Sequence, residues 1–396
     1  MEMEIDQSRD IVYHSYDIPS YFDIKWDTMP KDKRDALVLI QAKATALFAK
    51  RFVPFYKIHY KHISEDDIMN ISSLGEFAFK LPVTTKRHLS ENDAFDFLPD
   101  FVQIEEMINK GTGGTTGKPV TIYYSKSDWN AMAQHIARSI KFDFQNNLHE
   151  LKGLNVVGMY HGDHVTNDIY RDGLKLLGIH VSGRVSTKKD AKSNYDFLQH
   201  QKPNGILAPP SDPSDSQTKG ITLDEFLKSD AKNSSEFAYR FNNEINPKFK
   251  LIFWSSMPLP EAMLNYMQNH LKIPYIQGQY GSTECCPTGA TCKYHPREFH
   301  IGYGPTLITV IHPTEKRLIT ENERGHILVT KTGGTYDGKN IVPTGTYIIN
   351  LRTGDSAVLK NINGEQCQCG RNTPILTDLK RIEYVEVKAD AGCQVD

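Results

Sequence analysis

The chain has no run of about 18 apolar residues, the least a membrane-spanning helix requires. Its first residues, MEMEIDQSRDIVYHSYDIPS, are acidic and polar rather than basic and then apolar, so a secretory signal is not expected. A charge excess is also missing, since 46 Lys and Arg stand against 48 Asp and Glu for a net charge of −2. That balance gives no electrostatic reason to bind nucleic acid or an anionic membrane, so a cytoplasmic protein is expected. No cysteine precedes Cys285: all six, Cys285, Cys286, Cys292, Cys367, Cys369 and Cys393, fall in the last third. An extracellular disulfide framework spread through a small domain is thereby disfavoured, and the clustering points to a local metal site.

What is present is the texture of a large α/β protein. At 396 residues the chain exceeds one ordinary core and suits a large domain with subdomains. Apolar residues recur at helical spacing through ALVLIQAKATALFAKRF, so residues 31–60 are expected to hold a helix that Pro54 interrupts, followed by a turn. FKLPVTTKRHL is expected to run extended and enter another helix near Thr85. Short apolar runs then alternate with helical stretches: LNVVGMY before NDIYRDGLKLLG, GIHVSGRV before KDAKSNYDFLQHQ, FKLIFWSS before PEAMLNYMQNHL. Such alternation predicts a largely parallel sheet flanked by helices. Beyond Thr291 the texture changes to TLITVI, GHILVT and TYIINL between Gly and Pro turns, a β-rich subdomain. PPSDPSDSQTKG is expected to be a surface loop. The predicted organisation is an α/β core over 1–290 with an N-terminal helical segment, a smaller β-rich subdomain over 291–375 and a short tail over 376–396.

The stretch KGTGGTTGKPV carries the first chemical signal. A P-loop needs Gly where Thr112 stands and Ser or Thr where Pro119 stands; the dinucleotide fingerprint needs Gly where Thr116 stands. Both patterns fail. An alternating, strand-like stretch follows, so the loop is expected to be a mobile hairpin. Gly113, Gly114 and Gly117 permit backbone conformations that aim N–H groups at an anion, Thr112, Thr115 and Thr116 add hydroxyls, and Lys118 adds charge. A polyphosphate is the natural guest, and a ligand-free surface hairpin is the bland alternative. In IQGQYGSTECC, Tyr280, Gly281, Thr283 and Glu284 follow an apolar strand-like run, where ligands of open α/β sheets bind. Glu284 could give one hard oxygen to a nucleotide-bound Mg²⁺; alone it would read as a solvated loop carboxylate. YIINLRTGDSAVL is expected to place Asp355 in a tight turn, where it could accept from ribose hydroxyls or simply serve the turn.

These three elements in this order resemble the adenylate-forming superfamily of acyl-CoA synthetases and adenylation domains. VPFYKIHY, LPVTTKRHL and CQCGR further resemble its phenylacetate–CoA ligase and coenzyme F390 synthetase branch, the likeness covering roughly residues 50–372. The resemblance implies that Thr112 to Lys118 grip the ATP phosphates, Gln279 and Tyr280 lie against adenine, Thr283 meets the α-phosphate, Glu284 holds Mg²⁺ and Asp355 binds ribose. It places Ser255 and Ser256 of FWSSMPLP near the acyl and adenine pockets. The implied reaction is activation of an acid, aromatic by the same resemblance, as an acyl-adenylate for CoA, a carrier or an amine or hydroxyl acceptor. No general base is required, because the attacking carboxylate is already ionised; positioning and electrostatics carry the step.

Cys292, His295 and His300 in CKYHPREFH, with the Cys367 and Cys369 pair, offer soft and borderline ligands in two clusters that suit a closed tetrahedral Zn²⁺. The branch carries a similar cluster, and its His-Ile dipeptide aligns with His300, which makes Cys292, His300, Cys367 and Cys369 the expected structural ligands and His295 the alternative. Buried reduced cysteines are the bland reading. His161, Asp163 and His164 of MYHGDHVTND are expected to form a polar loop lining the acyl pocket rather than a second metal site.

The sequence departs from the superfamily pattern at two places. Gly113 stands where the loop usually has a second hydroxyl. The usual hinge with paired aspartates is not recognisable, and the closing C-terminal domain that follows it, with its lysine, is expected to be absent; Arg371 and Arg381 both remain candidates for an arginine near ribose. A partner enzyme, a carrier protein or a protein supplying the missing domain, and a homodimer, stay open. So does a catalytically degenerate ATP- or AMP-binding scaffold.

Overall fold

The computed structural model describes residues 18–112, 120–144, 147–160, 164–184, 200–210, 249–285, 287–333 and 344–382. A helix over Lys31–Phe52 (α1) runs as the apolar spacing predicts, but Pro54 does not open a turn. It opens a second helix, Pro54–His59 (α2), because proline at the first helical position lacks only an N–H that would be unpaired there. Thr84–Thr85 (β1) then leads into Lys86–Glu91 (α3). Thr85 caps that helix reciprocally: its hydroxyl accepts from the His88 N–H while its own N–H donates to His88 Nδ1.

Ile108–Gly111 (β2) and Thr121–Tyr124 (β3) pair as an antiparallel hairpin, Gly111 opposite Thr121, and Lys126–Asp143 (α4) follows. The glycine–threonine loop thus does join two extended segments. The alternating core comes next: Asn155–Gly158 (β4), Val165–Lys175 (α5), His180–Arg184 (β5), Gly205–Leu207 (β6), Leu251–Ser255 (β7), Glu261–Asn269 (α6) and Tyr275–Tyr280 (β8). These strands are parallel and lie in the order β5-β4-β6-β7-β8, so the winding direction reverses between β4 and β6. Ligands of open parallel sheets bind at the carboxyl ends of strands near such a reversal.

Both faces of this half are covered, which is why its strands read as unbroken apolar runs. Val156, Leu207 and Phe253 enter one core with α4 and α5; their neighbours Val157, Ile206, Ile252 and Trp254 enter the other, shared with α1 and the strands that follow. At Gly278 a side chain would strike the Trp254 ring, which lies 2.3 Å from where a Cβ would sit.

The sheet continues without a break into an antiparallel half: Gly289–Cys292 (β9), His295–Ile301 (β10), Thr306–Ile311 (β11), Arg324–Lys331 (β12), Leu351–Lys360 (β13) and Ile375–Arg381 (β14). The order across it is β8-β9-β10-β14-β13-β12-β11, and β1 joins β13 in parallel. Two expectations need correction here. TYIINL is not a strand until Leu351: residues 346–350 are buried, but their backbone groups pair with different elements, Thr346 with Tyr123, Tyr347 with Phe97 and Ile349 with the Tyr56 hydroxyl. Asp355 is not in a turn between strands. It lies within the single ten-residue strand β13, where the register against β12 shifts and Gly354 takes φ +81°, a β-bulge that re-aims the side chain. Strand β6 was not foreseen, since GILAPP is short and runs into prolines.

Candidate functional site

The carboxyl ends of β7 and β8 and the bulge in β13 bring the candidate residues together. Tyr280, the last residue of β8, donates its hydroxyl to Asp355 Oδ2 at 3.0 Å. Arg381, ending β14 directly opposite Asp355, reaches Asp355 Oδ1 at 2.6 Å. Burial, then the neighbouring Asp355 carboxylate, pushes the Tyr280 hydroxyl well above its ordinary pKa, so it stays a neutral donor. A carboxylate has about four acceptor positions, so Asp355 retains capacity for a vicinal diol after serving both partners. Of the two arginines weighed for this place, Arg381 is the one that arrives. Arg371 is buried elsewhere, donating to Asp143 Oδ1 at 2.7 Å and to the Ser139 carbonyl, with Asp27 at 3.8 Å.

Gln279 is likewise separated from Tyr280. Adjacent residues of a strand face opposite sides, and the Gln279 amide donates to Ser139 on α4 at 2.7 Å, across the sheet from Asp355. The spacing QY therefore delivers one residue to the site and one to the helix packed behind it.

Glu284 follows β8 in the loop that opens with Gly281, and its side chain is 4% exposed. Its partner is Lys86, Nζ to Oε1 3.3 Å, from the first turn of α3. Burial opposes the Glu284 charge, but the Lys86 ammonium and hydrogen bonds from its own backbone and Ser282 outweigh it, and the carboxyl is held below the usual range. A single hard carboxylate oxygen donor fits a Mg²⁺ that would keep waters and phosphate oxygens as its other ligands. The Thr283 carbonyl accepts from the Tyr124 hydroxyl, so the hairpin carrying the glycine–threonine loop is tied to the loop carrying Glu284. At the neck of that hairpin, Thr112 donates its N–H to the Val120 carbonyl and accepts the Val120 N–H at its hydroxyl. Gly113, Gly114, Thr115, Thr116, Gly117 and Lys118 lie outside the described residues.

Ser255 ends β7 and Ser256 follows it. The Ser255 hydroxyl lies 2.8 Å from the Tyr160 hydroxyl, and Ser256 is exposed with φ +78°, a conformation a non-glycine residue adopts at some cost. Tyr160 stacks on His164, ring centroids 4.8 Å apart, at the reversal between β4 and β6; His161 and Asp163 are outside the described residues.

A second constellation forms where β9, β10 and the turn before β14 meet. The ligand atoms of Cys292, His300, Cys367 and Cys369 all lie within 4.8 Å of one another. Tetrahedral Zn–S bonds of about 2.3 Å need ligand separations of roughly 3.8 Å, so small side-chain adjustments would close the set. Its surroundings would suit metal ligation. The His300 Nδ1 faces the Thr373 carbonyl at 3.4 Å and the Thr373 hydroxyl at 3.3 Å, which turns Nε2 toward Cys369 Sγ at 3.5 Å and leaves that nitrogen's lone pair free to ligate. The backbone N–H groups of Cys369 and Arg371 point at Cys367 Sγ and Cys369 Sγ, at 3.4 and 3.5 Å. His295 is outside the set, its Nδ1 2.7 Å from Glu298.

Sequence reasoning assigned no role to Lys86 or Tyr124. Lys86 belongs to LPVTTKRHL, which carried a branch resemblance but no chemistry; Tyr124 follows the loop as one aromatic among several. Among the described residues no helix is long and apolar enough to cross a membrane.

No family model matches the chain. A stretch of 118 residues, 29% of this chain, is 32% identical to the phenylacetate-coenzyme A ligase of Escherichia coli (strain K12) and amounts to 26% of that protein. The phenylacetate-coenzyme A ligase of Aromatoleum evansii is 30% identical over 115 residues, 28% of this chain and 24% of that protein. The matches thus span about a quarter of each curated relative. The fold is that of a 2-hydroxyisobutyryl-CoA ligase solved with 2-HIB-AMP and CoA in the thioesterification state, with a TM-score of 0.70 at 19% identity over 94% of this chain and 73% of that one. An open conformation of the same ligase gives 0.68 at 18% identity, covering 92% and 78%. The resemblance drawn from the motifs is therefore borne out, in sequence by the phenylacetate–CoA ligases and in architecture by this ligase fold.

Proposed function

We propose that this chain activates a carboxylic acid with ATP, forming an acyl-adenylate and releasing pyrophosphate. The observation that carries the proposal is the meeting of Tyr280, Asp355 and Arg381 with the Glu284 loop at the carboxyl edge of a parallel sheet. Asp355, steadied by Tyr280 and Arg381, accepts the ribose hydroxyls while the Tyr280 ring lies against the base. Thr112 to Lys118 receive the phosphates and Thr283 the α-phosphate. Glu284 would hold a Mg²⁺, which supplies charge neutralisation for the polyphosphate. The acid attacks already ionised, so the protein's task is to bring two anions together and stabilise the charge that spreads onto the leaving pyrophosphate. The acid enters beside Ser255, Tyr160 and His164, and an aromatic acid is favoured by the likeness to the phenylacetate–CoA ligases. CoA is the acceptor most in keeping with the ligase that shares the fold.

Cys292, His300, Cys367 and Cys369 would bind one structural Zn²⁺. Three thiolates and an imidazole fill a tetrahedral shell and leave no open position for catalysis.

Acid-dependent exchange of pyrophosphate into ATP tests the proposal directly. A panel of aryl and alkyl carboxylates should give exchange with at least one member. No exchange with any acid, while ATP or AMP still raises the melting temperature, would replace the ligase with a nucleotide-binding protein.

A further inference from the structure

The segment LPVTTKRHL is left without a task by the proposed chemistry, yet the fold invests heavily in its placement. Thr84 donates its N–H to the Asn350 carbonyl, and its hydroxyl lies 3.3 Å from that of Tyr56. Thr84 and Thr85 pair in parallel with Leu351 and Arg352, at the start of the strand that carries Asp355. The reciprocal Thr85–His88 cap then fixes the first turn of α3. Lys86 is the first residue of that turn, and its ammonium is the partner of the Glu284 carboxylate at 3.3 Å. The two ends of this ion pair differ: the Glu284 side chain is 4% exposed and that of Lys86 is 32% exposed. The carboxylate is buried, whereas the ammonium is carried by a partly exposed side chain on a flexible four-carbon stem.

We propose that Lys86 is a positioning residue that competes with the divalent cation for Glu284, holding the buried carboxylate in place until the metal arrives and setting the metal concentration at which it is displaced. The proposal rests on Glu284 being the metal ligand. Its physical basis is that a buried carboxylate left without a cation is strongly unfavourable, so any site built to bind a metal intermittently needs a substitute charge in the interval. Lys86 meets the three requirements: a backbone anchored to the site's own strand, a charge within contact of Glu284, and a flexible side chain that is partly open to solvent.

Mn²⁺ binding, followed by loss of the free-ion paramagnetic resonance signal, tests it without turnover. The probes are Mn²⁺ alone and Mn²⁺ with a non-hydrolysable ATP analogue, on the full chain and on Lys86→Met, Lys86→Gln and Lys86→Arg. Removing the competitor should tighten Mn²⁺ binding by roughly threefold to fivefold in the Met and Gln variants and leave Lys86→Arg near wild type. Unchanged or weakened binding in the Met and Gln variants, or no Mn²⁺ binding by wild type, would overturn the proposal. Urea unfolding without metal gives a second readout: Lys86→Met should lower the midpoint, and adding Glu284→Gln should restore most of the loss, whereas additive losses would argue that the pair does not interact. Wild type that binds Mn²⁺ as described but exchanges no pyrophosphate would sink the ligase function and leave Lys86 standing. Exchange with unaltered Mn²⁺ binding in the variants would do the reverse.

Discussion

The cysteine–histidine cluster and the proposed nucleotide face lie in one sheet, yet they differ in how their members were brought in. The cluster draws Cys292, His300, Cys367 and Cys369 to within 4.8 Å from two short segments; ligand type nominates these four together with His295, and the likeness to the branch favours His300. Around Asp355, the proposed nucleotide face gathers Tyr280 but not Gln279, and Arg381 but not Arg371. Soft ligands have few alternative uses, so chemistry identifies them wherever they fall. Polar residues on strands serve cores, caps and sites alike, and only the face they occupy separates these uses.

The sharpest break of this comparison is removal of the zinc proposed for the cluster. Purified without chelator, the protein should contain about one zinc per chain. Cys369→Ser should lose it and lower the melting temperature by roughly 15 °C, because metal affinity at such sites is folding free energy; elemental analysis showing no zinc in wild type would remove the metal altogether. Next in size is Arg371→Met. It strands Asp143 in the interior and should cost about 3–5 kcal/mol of stability in denaturant unfolding, marking Arg371 as a brace beside the cluster rather than a nucleotide contact. Glu284→Ala should leave the fold largely intact and slow pyrophosphate exchange by about a hundredfold; unchanged exchange would exclude Glu284 from the chemistry. Tyr280→Phe removes one hydrogen bond to Asp355 and should weaken ATP binding by roughly fivefold in calorimetry, with little change in stability. Gln279→Leu offers the matching control on the opposite face, expected to lower stability while leaving ATP affinity within about twofold.

Much of the fold was legible. Alternating apolar runs and helical spacing foretold β4, α5, β7, α6 and β8, because a parallel strand covered on both faces has to be apolar throughout. What escaped had specific causes. GILAPP is too short to register as the strand β6. TYIINL has the composition of a strand, but its N–H groups pair with Tyr123, Phe97 and Tyr56, contacts more than two hundred positions away. Asp355 has the neighbours of a turn residue, yet Gly354 supplies a bulge inside β13, a distinction that depends on strands β12 and β14 lying on either side.

By itself the sequence determined the class of fold, the composition of the glycine–threonine loop, the soft-ligand residue types and the order of three motifs. Those follow from local periodicity and residue chemistry, which travel with the chain. Only the tertiary structure decided that Lys86 stands on Glu284, that Arg381 rather than Arg371 reaches Asp355, and that Gln279 turns its back on the residue beside it. Each of these depends on which face of a strand meets which distant element, and pairings across some two hundred residues, such as Lys86 with Glu284, exist only once the sheet has closed around them.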